Sequence, residues 1–219
     1  MNKFLNYFVG ISAFYLLLIA IGKEDLAWFF KPLLLPGLLL ATNSYNSFPT
    51  KKWLLLALGF SWLGDIILMF ADKGELFFIF GLVSFLIAHI LFILLFIKQD
   101  TQFSPNKLLF GLGILAVAGY LYTMLTLLIP SLGELKIPVS VYAFVISLML
   151  IMAIRGSLTW IRPMNILILN GAIAFVTSDS ILAIDKFYNP LPNASLLIMS
   201  TYIIAQFLIT LGILKLNHE

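Results

Sequence analysis

Apolar residues run through this chain in blocks of about twenty, separated by short clusters of charge, Pro and Asn. At about 1.5 Å of helix per residue, such a block crosses a hydrocarbon core about 30 Å thick. Breaking the sequence at the polar clusters predicts eight membrane helices, over roughly 4–22, 27–43, 51–71, 75–97, 108–128, 137–155, 163–184 and 194–216. The alternating ten-residue segments of a membrane barrel are missing from the pattern, so helices are expected. Connections such as Asp72-Lys73-Gly74 leave no room for a folded domain. Residues 1–219 are therefore expected to form a single all-α, polytopic membrane domain in which sequential helices are antiparallel neighbours. The first block follows Lys3 as a signal peptide would, but it is long and has no small-x-small cleavage site, so it reads as a retained span.

Composition sharpens this picture. The chain is 62% hydrophobic and 11% charged, against about 45–50% and about 25% in a soluble domain. It has no cysteine, which excludes disulfide and thiol chemistry. The net charge of +3 comes from basic residues scattered singly over loops, with no patch for nucleic acid. Eight spans put both termini on one side, and that side collects eight of the loop Lys and Arg residues against four opposite. This excess predicts a cell-membrane protein with cytoplasmic termini.

Two stretches carry the same unusual chemistry. "WLGDIILMFADK", residues 62–73, and "FVTSDSILAIDKF", residues 175–187, each set an Asp in an apolar run, then Ile-Leu, then Asp-Lys. Asp65 and Asp179 fall on the third and seventh spans, which run in the same direction. The second and sixth spans also open alike, with "KP" at 31–32 and "KIP" at 136–138, as a parallel four-plus-four duplication would produce. Asp65 lies six residues inside Ala71, about 9 Å below the outer boundary, and Asp179 is at about the same depth. Lys31 is about 6 Å down by the same rise. A charged residue at the centre of a membrane helix costs about 2.5–3.5 kcal/mol and faces the bundle interior. Three such groups in one layer predict a shared site on the non-cytoplasmic half, although Lys31 also fits a lysine that snorkels to the interface.

Other polar groups lie deeper. His89, Asn170 and Gln206 fall towards mid-membrane, and Tyr202 shares a helical face with Gln206. Gly171, Phe175 and Asp179 follow a four-residue step, with Gly171 open to another backbone or to an acyl chain. There is no HExxH and no paired-His spacing, so neither metal nor cofactor is expected. Ser178 stands beside Asp179 but lacks the Gly-x-Ser-x-Gly elbow of a nucleophile.

The segments "KPLLLPGLLL", "LGDIILMF", "FGLVSFLIAHILFI", "NGAIAFVTSDSILAIDKF" and "YIIAQFLI" together resemble the YhhN family of membrane proteins, which includes the lysoplasmalogenases. The resemblance covers nearly the whole chain in order. It implies hydrolysis of the vinyl ether bond of a lysophospholipid, releasing a fatty aldehyde and glycerophosphoethanolamine or glycerophosphocholine. It also implies that Lys31, Asp65, His89, Ser178, Asp179 and Gln206 occupy the family's polar positions. The chemistry agrees with the residues. A vinyl ether hydrolyses when a general acid protonates the carbon beyond the ether-linked one and water captures the resulting oxocarbenium ion. One neutral carboxyl and one carboxylate serve such a cation, as in glycosidases, and Asp65 and Asp179 are the candidates. Lys31 would bind the lipid phosphate. His89, Asn170, Ser178, Tyr202 and Gln206 are the further candidates for contact with the lipid. Paired intramembrane acids also suit a proton-coupled carrier, and a non-catalytic lipid-binding protein is a third reading.

Overall fold

Each polar cluster that interrupts the apolar pattern ends a helix in the computed structural model, which describes residues 2–218. Nine α-helices are found among the described residues: α1 (Lys3–Ala20), α2 (Glu24–Phe30), α3 (Leu34–Ser44), α4 (Lys51–Leu68), α5 (Glu75–Ile97), α6 (Lys107–Leu128), α7 (Lys136–Thr159), α8 (Met164–Phe187) and α9 (Ala194–Leu216). No strand occurs among these residues. Caps fall where the sequence supplies them. The Asn2 side chain accepts from the Phe4 amide at the start of α1, and Asn106 accepts from Leu108 and Leu109 at the start of α6.

Among the described residues, seven segments are long and apolar enough to cross a membrane, one of them being α2 and α3 taken together. The remaining predicted span is α4, whose 18 residues include Lys51, Lys52 and Asp65. Large apolar side chains remain on the outside, with Leu108 72%, Leu115 69% and Ile137 75% exposed. Water would oppose such a surface and a lipid tail would not. This is a multi-pass helical membrane protein. The main departure from the predicted spans is in the second, which is a helix in two pieces. A 3₁₀ turn over Lys31–Leu33 separates α2 from α3, at the point where Pro32 has no N–H to give to an α-helical ladder.

The chain divides into two compact units, one ending at Leu95 and the other beginning at Phe96. The first unit holds α1, the broken second span, α4 and nearly all of α5. Lipid is as apolar as leucine, so close approach and hydrogen bonds must hold these helices together. Gly37 admits the Phe8 backbone, and a methyl group at Gly64 would lie 2.7 Å from the Phe85 ring. Ser84 donates to the Phe60 carbonyl at 2.7 Å, joining α5 to α4.

The second unit packs α6 on α7, α7 on α8 and α8 on α9. The α8–α9 contact is the tightest in backbone terms. A methyl group at Gly171 would stand 2.9 Å from the Ile209 nitrogen and 3.1 Å from the Ala205 oxygen, and one at Gly212 would meet the Ile168 side chain at 2.5 Å.

The internal plan of each unit repeats. Each has four spans, a Lys-Pro or Lys-Ile-Pro element at the start of α7 or between α2 and α3, and an acid late in its third span. The fourth spans agree as well: "SFLIAHILFIL" at 84–94 matches "TYIIAQFLITL" at 201–211, so that His89 and Gln206 hold equivalent places.

Candidate functional site

In the first unit the break in the second span is tied to α4. Trp62, on the last turns of α4, donates its indole N–H to the Pro32 carbonyl at 2.8 Å. Lys31, next to that carbonyl and half-buried, is therefore held at the level of Asp65, which lies one turn beyond Trp62. Asp65 is only 4% exposed. It follows Gly64, the residue that lets the Phe85 ring of α5 onto α4. On α1, the buried phenol of Tyr15 is near enough to feel the Asp65 charge. His89 is fully buried on α5, one turn beyond Phe85. The Trp62–Pro32 hydrogen bond thus joins the break that carries Lys31 to the last turns of α4, which carry Asp65.

In the second unit Asp179 is half-buried on α8 and accepts a short hydrogen bond from the Tyr142 hydroxyl of α7. Its neighbour Ser180 shares a hydrogen bond of 2.7 Å with Tyr120 of α6 and donates to the Val176 carbonyl at 2.6 Å. Three helices thus bring two phenols, a hydroxyl and a carboxyl into one cluster. Ser178 points elsewhere and donates to the Ile198 carbonyl of α9 at 2.9 Å. Its hydroxyl is engaged in joining two helices.

Tyr202 packs edge-on against Phe175, with ring centroids 5.5 Å apart and planes at 83°. Gln206 is completely buried, and neither polar atom of its amide has a hydrogen-bond partner among the described residues. It lies at the level where Gly171 meets Ala205, well below Asp179. Asn170 is exposed. Nine residues separate it from Asp179, which puts the two on opposite faces of α8, so the structure does not gather it with the rest. Asp185, the second acid of its motif, accepts from the Leu191 amide at 2.8 Å and braces the turn after α8.

The phenols of Tyr15, Tyr120 and Tyr142 were the groups that sequence reasoning missed. Each is a tyrosine within an apolar run, "AFYLLL", "AGYLYT" and "VSVYAF", and a buried phenol needs a polar partner. That signal was available. Among the described residues no group of three or more His, Cys, Asp or Glu side chains is placed to hold a metal ion.

Comparison with known proteins follows the same lines. Lysoplasmalogenase TMEM86B of Homo sapiens is 35% identical over 201 residues, covering 89% of this chain and 80% of that protein. Lysoplasmalogenase TMEM86A of Bos taurus is 33% identical over 169 residues, 75% of this chain and 66% of that one. A lysoplasmalogenase of Mycobacterium tuberculosis (strain CDC 1551 / Oshkosh) is 32% identical over 167 residues, 74% of this chain and 60% of that one. No solved structure matches. The family model described as the YhhN family matches residues 26–213, a stretch that holds every predicted site residue from Lys31 to Gln206. By that match the chain belongs to the YhhN family.

Proposed function

We propose that this protein is a membrane lysoplasmalogenase, a hydrolase that cleaves the vinyl ether of a lysophospholipid to a fatty aldehyde and a glycerophosphodiester. The observation that carries this reading is an acid late in the third span of each unit, Asp65 buried on α4 and Asp179 hydrogen-bonded by Tyr142 on α8. The family and its relatives' names supply the substrate class.

In this reading Asp65 and Asp179 share the acid–base work. One, as a neutral carboxylic acid, gives its proton to the terminal vinyl carbon, and the other, as a carboxylate, stabilises the oxocarbenium ion formed at the ether-linked carbon. Water adds to that carbon, the hemiacetal collapses, and the glycerol oxygen leaves with a proton. Lys31 holds the phosphate. The other candidates take lesser parts in the same site. His89, Tyr202 and Gln206 contact the polar part of the lipid, Ser178 steadies α8 against α9, and Asn170 contacts surrounding lipid. The protein works as one membrane domain in the cell membrane with its termini in the cytoplasm, a placement supported by the excess of basic residues on that side.

The test is aldehyde release by purified protein in detergent micelles, with the saturated alkyl-ether lipid as control. Cleavage of the vinyl ether alone is expected, because the saturated ether offers no double bond to protonate. Equal cleavage of both, or solute uptake coupled to a pH gradient without aldehyde release, would overturn the reading.

A further inference from the structure

Serine and threonine hydroxyls inside these helices generally return to the backbone one turn before them. Ser147 donates to Ala143, Thr177 to Ile173, Ser180 to Val176 and Thr123 to Gly119, at 2.6–2.9 Å. Two buried serines of the first unit do not. Ser12 of α1 is 4% exposed and Ser61 of α4 is fully buried, and neither hydroxyl has a hydrogen-bond partner among the described residues. A buried hydroxyl left unmade is costly, so such groups generally find water when the chain gives them nothing.

Both serines occupy the same level. Along the second span, Asn2 bonds Ser44 and Phe8 packs at Gly37, while Lys51 reaches the Asn43 carbonyl and Trp62 the Pro32 carbonyl. Those two antiparallel registers put Ser12 and Ser61 both opposite Leu33. Ser12 is three residues before Tyr15 and Ser61 four before Asp65, so each lies on the same face as the group above it. The pair therefore sits one turn beneath the level of Tyr15 and Asp65. The second unit has unpartnered buried groups of its own, Gln206 and Thr210 of α9, but none at the places that correspond to these serines. Three residues before Tyr120 is Val117 and four before Asp179 is Phe175, both buried and apolar.

We propose that Ser12 and Ser61 hold a water molecule one turn beneath Asp65, and that this is the water consumed in the reaction. The inference rests on the lysoplasmalogenase reading and gives the proton transfers to Asp65. Asp65 gives its proton to the vinyl carbon and becomes a carboxylate. The water oxygen then bonds to the ether-linked carbon and its proton returns to Asp65. The hemiacetal then collapses: its hydroxyl proton passes to the glycerol oxygen, the bond from carbon to that oxygen breaks, and the remaining oxygen becomes the aldehyde carbonyl. Ser12 and Ser61 are positioning residues, since they act through the water.

The experiment measures aldehyde release and thermal melting for Ser12→Ala, Ser61→Ala, their double variant and Ser61→Thr, with Ser147→Ala as a control. Each alanine variant is expected to lose kcat about 10–100-fold at unchanged KM, as for a reactant no longer held in place. Ser61→Thr keeps a hydroxyl and should restore most of the rate, and Ser147→Ala should match the parent. One shared water also predicts that each single alanine variant lowers Tm and that the double variant melts no lower than the weaker single one. Unchanged kcat in the double variant, in a parent that is active and is silenced by Asp65→Asn, would overturn the water's role and leave the lysoplasmalogenase reading intact. A parent that releases no aldehyde would overturn that reading and the role together. Raised or additive Tm changes would overturn the water site whatever the activity.

Discussion

The Tyr142 hydroxyl donates to Oδ2 of Asp179, joining α7 to α8. A donor aimed at a carboxylate fixes its orientation. If Asp179 serves as the carboxylate beside a cation, Tyr142→Phe should lower kcat by about 10–100-fold, the equivalent of a hydrogen bond to a charged group, with KM little changed. Steady-state kinetics on the micellar lipid check this, and a rise in KM at constant kcat would place Tyr142 on the substrate instead.

Asp65→Asn and Asp179→Asn should each remove most of kcat, about 10²–10⁴-fold for a positioned proton-transfer group. Asparagine keeps the shape and most hydrogen-bonding capacity, so detergent elution and melting should be retained. The double variant should be little slower than either single one if the acids work as a unit. Losses that multiply would assign them separate tasks.

Lys31 is fastened by its backbone, through the neighbouring Pro32 carbonyl and Trp62, rather than left on a free helix end. Lys31→Ala is expected to raise KM more than it lowers kcat, as for a cation that grips the phosphate equally before and during reaction. Lys31→Arg should be milder. An alanine variant with unaltered kinetics would show a lysine that merely reaches the interface.

Gly171→Leu should destabilise the protein by at least about 1–3 kcal/mol, since its first carbon already meets the Ile209 nitrogen and the Ala205 oxygen of α9. Thermal melting in detergent reads the change. Gly119→Leu is the matched control, because a side chain there meets nothing within 4 Å.

The spans were legible because membrane crossing demands long apolar runs, and the helices end within a few residues of the predicted boundaries almost throughout. The break at Lys31–Leu33 was less so. "KP" near a predicted helix start reads as an N-terminal proline, yet the chain has already turned helical at Glu24. Asp65 and Asp179 announced themselves because charge in a membrane is rare. Tyr142 and Ser61 did not, since a phenol or a hydroxyl in an apolar run is ordinary, and only the packing tells which of them lack or share a partner. Gly171 had left two readings open, an acyl chain or another backbone, and Ala205 and Ile209 resolve it in favour of the backbone.

That resolution bears on how a lipid travels. Along α8 and α9 the main chains come together at Gly171 and Gly212, and the Ser178 hydroxyl fastens the same pair of helices further out. A seam sewn at three heights has no slot for a hydrocarbon tail. A single-chain lipid bound to the second unit must therefore leave its tail on another flank, and bulk added along the α8–α9 seam would unsettle the fold long before it narrowed the choice of chain.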